Sequence, residues 1–153
     1  MPALVISTIA VLFAGVLAGE EFIVRYGVQP ALTSLDDLPH LQARQALVRR
    51  LRIVVPALMV PTVLLSIAAL SLDATGPGCW FRVAGLAALV AFVLFSFLGT
   101  VPINIKVNDW DAEHPPADWK RVVARWQLID VFRSSAALLG FALLLVGLVL
   151  QAR

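Results

Sequence analysis

Residues 101–134 read VPINIKVNDWDAEHPPADWKRVVARWQLIDVFRS. This stretch holds three of the four tryptophans, both asparagines and four of the seven aspartates, and the runs on either side of it are apolar enough to lie in hydrocarbon. A polar insert between two such runs is what a connection between membrane helices looks like. The whole chain fits that reading: 60% of its 153 residues are hydrophobic and only 14% charged, far from the balance of a soluble domain.

Working outward, the apolar run before the insert begins near Phe81 and breaks at Thr100 to Pro102. The run after it begins near Ala117 or Asp118, past the Pro115-Pro116 stop, and continues to about Leu150, longer than a bilayer core of about 30 Å requires. Towards the N-terminus, DATGPG (73–78) is a tight polar turn. It follows an apolar run, Ile53 to Leu72, with Pro56 and Pro61 as expected bends and a basic amphipathic stretch, His40 to Arg52, ahead of it. SLDDLP (34–39) is a turn in which Ser34 or Asp36 can cap the next helix. The first helix starts near Ala3, and Pro30 is expected to kink it. Its N-terminal part lacks the basic start and the cleavage pattern of a signal peptide. Gly15 and Gly19 form a small-xxx-small pair suited to close helix packing. The expectation is an all-α, integral membrane four-helix transmembrane bundle. It forms a single domain over 1–153, with helices at about 3–34, 38–72, 81–108 and 117–150.

Ten of the twelve lysines and arginines fall in or beside the first and third connections, leaving Arg82 and Arg153 on the other side. That asymmetry puts the long connections in the cytoplasm and both termini on the extracytoplasmic side, as in a bacterial inner membrane. The basic residues alternate with acids, which argues against nucleic acid as a partner. The expected partners are a small lipophilic molecule and membrane lipids, with a homo-oligomer left open. The lone Cys79 permits no intrachain disulfide and no multi-cysteine metal site.

Asn104 and Asn108, four apart, share one face of the third helix if it continues through them. Trp126, Asp130 and Arg133, at offsets of four and three, share one face of the fourth. Polar side chains at this depth are costly unless paired or wetted, so two such faces on consecutive helices mark a polar chamber. Glu21 and Arg25 form a second i,i+4 pair that either lines the same chamber, with Tyr26 adding a hydroxyl, or only braces the bundle. Trp110, Trp119 and Trp126 also suit an interfacial aromatic belt. A metal site is carried only weakly, by a mixed set of Glu20 or Glu21 with His40. Nothing resembles a nucleophile with its base, a P-loop, a dinucleotide fingerprint or a haem-attachment motif.

The order Pro102, Asn104, Trp119, Trp126, Arg133-Ser134 and Gly140, with Ala18-Gly19 and Pro30-Ala31-Leu32 in the first helix, resembles the anthrone oxygenase-like family of small four-helix membrane proteins. The resemblance implies oxidation of an acidic methylene compound by O2 with no obvious cofactor. Asp130 would be the base, Arg133 and Asn104 the enolate donors, and Trp126 a stacking wall for a flat aromatic or quinone-like substrate. Helical spacing, apart from the resemblance, adds Asn108, Glu21, Arg25 and Tyr26 as expected substrate-binding residues. The chain departs from fungal members where Asp130 stands in place of an expected His, and where Glu20, Glu21 and Arg25 enter an otherwise apolar helix. A noncatalytic protein binding a lipid, quinone or partner subunit through the same chamber is the alternative from residues alone. A metal- or haem-binding membrane protein is the third.

Overall fold

The computed structural model describes residues 2–153. Four helices account for nearly all of them: α1 (Pro2–Thr33), α2 (Asp37–Leu72), α3 (Cys79–Asp109) and α4 (Trp119–Gln151). All four are long and apolar enough to cross a membrane, and no strand occurs among the described residues. At 1.5 Å per residue, helices of 31 to 36 residues run about 46–54 Å, well beyond a hydrocarbon core of about 30 Å. The excess carries most of the charge.

The helices pack as a ring in chain order. The α3–α4, α1–α2 and α1–α4 seams are extensive, whereas α2 and α3 touch over a much shorter length. In lipid the drive for such packing is van der Waals fit, so small residues sit where backbones come closest. Gly85 on α3 meets α4 so tightly that a Cβ there would lie 2.9 Å from Leu144 Cγ. Gly15 is similar, with a Cβ position 3.1 Å from the Phe141 ring, but Gly19 has nothing within 4 Å, so only half of the expected small-residue pair packs. Gly78, at φ +76°, closes the turn into α3 in the left-handed region that other residues avoid. An apolar core of Leu17, Met59, Leu89, Phe92 and Leu144 fills the end of the bundle nearer the termini.

Most buried hydroxyls are satisfied within their own helices, Ser7 Oγ being an exception. Thr62, Ser66, Ser96, Thr100 and Ser134 each donate to the carbonyl four residues back, at 2.6–3.1 Å.

Two helices contain a wide turn. Val24–Val28 in α1 and Phe95–Thr100 in α3 are π-helical, and each lies just ahead of a proline, Pro30 and Pro102. Proline lacks the N–H and crowds the carbonyl four residues back, and the extra residue of a π-turn makes room for it. Pro56 and Pro61, by contrast, leave α2 an unbroken helix from Asp37 to Leu72.

The turns differ from expectation in detail. Asp36 occupies the N-cap of α2 and Asp118 that of α4, yet neither side chain caps, and Ser34 Oγ donates backwards to Ala31 O at 2.8 Å. In the third connection Asp111 accepts from the Glu113 backbone N–H at 3.0 Å and pairs with His114 Nδ1 at 3.1 Å. Those contacts hold its exposed carboxyl below the usual carboxylate range. Lys120 to Asp37, at 2.9 Å, ties the starts of α4 and α2 together at the surface. At the opposite end Arg82 donates to Asp73 O at 2.7 Å, and Gln151 reaches Asp73 Oδ2 at 2.9 Å, which fastens the short connection to the end of α4.

Candidate functional site

A cavity of about 380 Å³ lies where α2 and α3 diverge. The volume falls in the range of about 300–1,000 Å³ usual for small-molecule sites. Two faces of it are polar. Asn104 and Asn108 come from α3 below its π-turn, and Trp126 and Arg133 from α4, with Gln29 arriving just after the π-turn of α1. The sequence spacing therefore brings Asn104, Asn108, Trp126 and Arg133 to one chamber.

The third face was not expected. α2 contributes Arg44, Leu47, Leu51, Val55 and Met59, so the chamber lies among α2, α3 and α4 with only Gln29 from α1, and not among α1, α3 and α4. The outer rim includes Phe97, Val101 and Ile105, all exposed on the bundle surface, so the opening faces sideways through the α2–α3 seam.

Arg133 is the centre of the polar wall. Its Nη2 lies 2.7 Å from Glu21 Oε2 and 3.0 Å from Asp130 Oδ1, and its Nε lies 3.1 Å from the same Asp130 oxygen. All three side chains are buried, Glu21 completely. The contact to Glu21 is short without the angles of a hydrogen bond, so both Glu21 oxygens count as unbonded and the link is best described as an ion pair. Asp130 and Glu21 therefore stand behind Arg133, which they hold in the wall, and neither carboxylate lines the cavity itself. Glu20, next to Glu21, buries both oxygens without a hydrogen bond.

Arg25 and Tyr26 fall elsewhere. Arg25 Nη1 reaches across to Ser135 Oγ at 2.9 Å, Ser134 Oγ at 3.3 Å and the Val131 carbonyl at 3.3 Å, on the α1–α4 seam and away from the cavity wall. Tyr26 is 55% exposed and packs on Phe22. Position 26 follows Val24, which is buried, by two residues, so a helical turn carries Tyr26 to the outside. The expected substrate-binding role of Arg25 and Tyr26 does not fit these positions.

His40 does not join Glu20 or Glu21. It accepts from Arg44 Nε at 3.2 Å and meets Trp119 edge-on, with ring centres 5.3 Å apart. Among the described residues no three His, Cys, Asp or Glu side chains converge as metal ligands would. Trp119 is buried in a small core with Leu41 and Val123 and so is not a belt residue, whereas Trp80, at 83% exposure, presents its ring outward at the far end.

Several polar atoms around the cavity are buried with no hydrogen bond inside the protein: Asn104 Oδ1, Asn108 Oδ1, Gln29 Nε2 and Trp126 Nε1. Buried polar groups are ordinarily satisfied; these four exceptions line the chamber, while others, at Ser7, Arg82 and Gln151, lie away from it. Arg44, Gln29 and Gln45 were missed at the sequence level. Gln45 donates to the carbonyls of Val107 and Trp110, both at 2.9 Å, and so closes the end of α3.

Fold and site together define a protein of four helices long and apolar enough to cross a membrane, with a sideways-opening, polar-walled cavity. Residues 45–143 match the anthrone oxygenase family, and the chain belongs to that family. The match includes Asn104, Asn108, Trp126, Asp130 and Arg133 and stops short of Glu21. No curated protein and no solved structure matches the chain.

Proposed function

We propose that this protein is a membrane oxidoreductase that oxidises a flat, lipophilic compound with an acidic methylene, of the anthrone type, using O2. The observation that carries this reading is the polar wall of Arg133 and Asn104 beside the Trp126 ring in a chamber open towards lipid. Family membership supports the reaction class.

The chemistry follows from the wall. The substrate ring lies along Trp126 and the apolar face of α2, with its carbonyl towards Arg133 and the Asn104 amide. Asp130 stands behind Arg133 and outside the cavity wall, and Arg133 engages only its Oδ1, so Oδ2 takes the methylene proton through one intervening water. As the proton leaves, charge moves onto the carbonyl oxygen, where Arg133 and Asn104 donate to it. The enolate carbon then gives electrons singly to O2, and a C–O bond forms. The resulting hydroperoxide loses water to leave a second carbonyl, so one anthrone and one O2 yield one anthraquinone and one water.

The ten-to-two charge asymmetry supports placing the chamber at the cytoplasmic end, with both termini on the extracytoplasmic side of a bacterial inner membrane. Oxygen uptake by detergent-purified protein given anthrone tests the activity. The expected result is O2 and anthrone consumed one to one, with Asp130→Asn lowering kcat by about 10²–10⁴-fold. A wild-type rate equal to that of the protein-free reaction overturns the activity, and an unimpaired Asp130→Asn overturns the base.

A further inference from the structure

Arg44 is the buried cation that the oxidation above leaves unused. It is 2% exposed and lines the chamber. Its direct partners are neutral side chains: Nη2 donates to Gln29 Oε1 at 2.8 Å and Nε to His40 Nε2 at 3.2 Å. The guanidinium also stands 5.3 Å from the centre of the Trp126 ring. Among the described residues it forms no ion pair with a carboxylate, whereas Arg133 has two. Asp130 acts on Arg44 through space, but its Oδ1 is held by Arg133.

A guanidinium out of water is costly unless an anion meets it directly. The surroundings of Arg44 are rich in donors, because Gln29 Nε2 and Trp126 Nε1 are also buried without a partner. Donors beside a cation suit an oxyanion. Near Arg44 the chamber is lined by Leu47, Val48, Leu51 and Val55, which suit a ring, and the one other cation that this helix adds to the lining, Arg52, is exposed to the outside.

We propose that Arg44 is the counter-ion of the ligand, and that the chamber selects flat aromatic compounds bearing an oxyanion, a carboxylate or an ionised phenol, over neutral ones of the same shape. This rests on the chamber being the substrate site and specifies the substrate class. The oxyanion sits against Arg44, Gln29 and the Trp126 N–H, and the ring extends towards Arg133.

The test compares 9-anthracenecarboxylate with 9-anthracenemethanol, an anion and a neutral alcohol on one ring system. Binding to detergent-purified full-length protein is read by energy transfer from tryptophan. The wild type should bind the carboxylate at least about 10-fold more tightly. Arg44→Gln should reduce that preference to about 2-fold or less, and Arg49→Gln, on the exposed side of the same helix, should retain it. Should Arg44→Gln fail to fold, Arg44→Lys decides: the loss of the two-pronged donor should weaken the carboxylate and leave the alcohol unchanged. Equal wild-type affinities, or a preference that survives Arg44→Gln or is untouched by Arg44→Lys, overturns the proposal. Selective binding without oxygen uptake would leave this inference standing and remove the oxidation, and uptake without selectivity would do the reverse.

Discussion

Arg133 on α4 and Glu21 on α1 meet at 2.7 Å with 5% and 0% of their side chains exposed, so one ion pair spans the seam between the first and last helices. Removing one partner leaves the other charge buried and alone, which in protein interiors costs about 3–5 kcal/mol. Glu21→Leu and Arg133→Leu should each lower the unfolding temperature in detergent sharply. The double variant should be more stable than Arg133→Leu alone, because Glu21 is then absent as well. A double variant that shows the sum of the two single losses would sink the pairing.

Asn104 and Asn108 line the cavity one helical turn apart, but only Asn104 is assigned to the developing oxyanion. Loss of one such donor costs about 10²–10³ in kcat in enzymes that use it. Asn104→Ala should therefore cut oxygen-dependent turnover of anthrone in that range and leave KM within about 3-fold. Asn108→Ala should mainly raise KM. Steady-state oxygen electrode traces separate the two.

Close packing of α3 on α4 at Gly85 makes a strong contrast with Gly19. Gly85→Ala would press a methyl against Leu144 and its backbone N, and overpacking of this kind costs about 1–3 kcal/mol. Gly19→Ala meets nothing and should hold or raise stability by up to about 1 kcal/mol. Thermal unfolding of both variants in one detergent checks the pair; a harmless Gly85→Ala would mean that the two helices stand further apart.

Sidedness is open to chemical labelling, since Cys79 is the only cysteine. In a Cys79→Ala background, Thr75→Cys should react with a membrane-impermeant maleimide from outside intact cells. Glu113→Cys should react only after permeabilisation. Both positions are exposed, so protection reports the membrane and not burial. The reverse pattern would place the chamber at the extracytoplasmic end.

Much of the bundle was legible because its signals are local. Four apolar runs separated by SLDDLP, DATGPG and the Pro115-Pro116 stop required no knowledge of the partners across the bundle. The Asn and Trp/Asp/Arg faces were legible through helical spacing, and four of those five side chains reach the cavity wall. Arg44 was not, because it lies in a basic stretch with Arg49, Arg50 and Arg52, which are exposed, and composition alone reads all four as a wetted face. Periodicity held the missing signal. Arg44 falls three residues after Leu41 and four before Val48, both buried, so it interrupts the apolar stripe of α2 and does not belong to the opposite side. Tyr26 erred the other way: its nearness in sequence to Glu21 suggested a shared chamber, and the phase of α1 turned it outward.

The π-turn at Val24–Val28 makes α1 two helices spliced out of phase. Up to its first residue, buried positions include Leu17, Glu21 and Val24; beyond it, the next buried position is Gln29, five residues on. Deleting one residue there would swing everything beyond by about 100° and carry Gln29 away from Arg44. A relative that binds the same ligand with an ordinary α-helical turn here would consequently align only with a one-residue gap inside a membrane-crossing helix, where gaps are normally not placed. Forced to align without one, it would set the ligand-facing residues of one chain against the lipid-facing residues of the other.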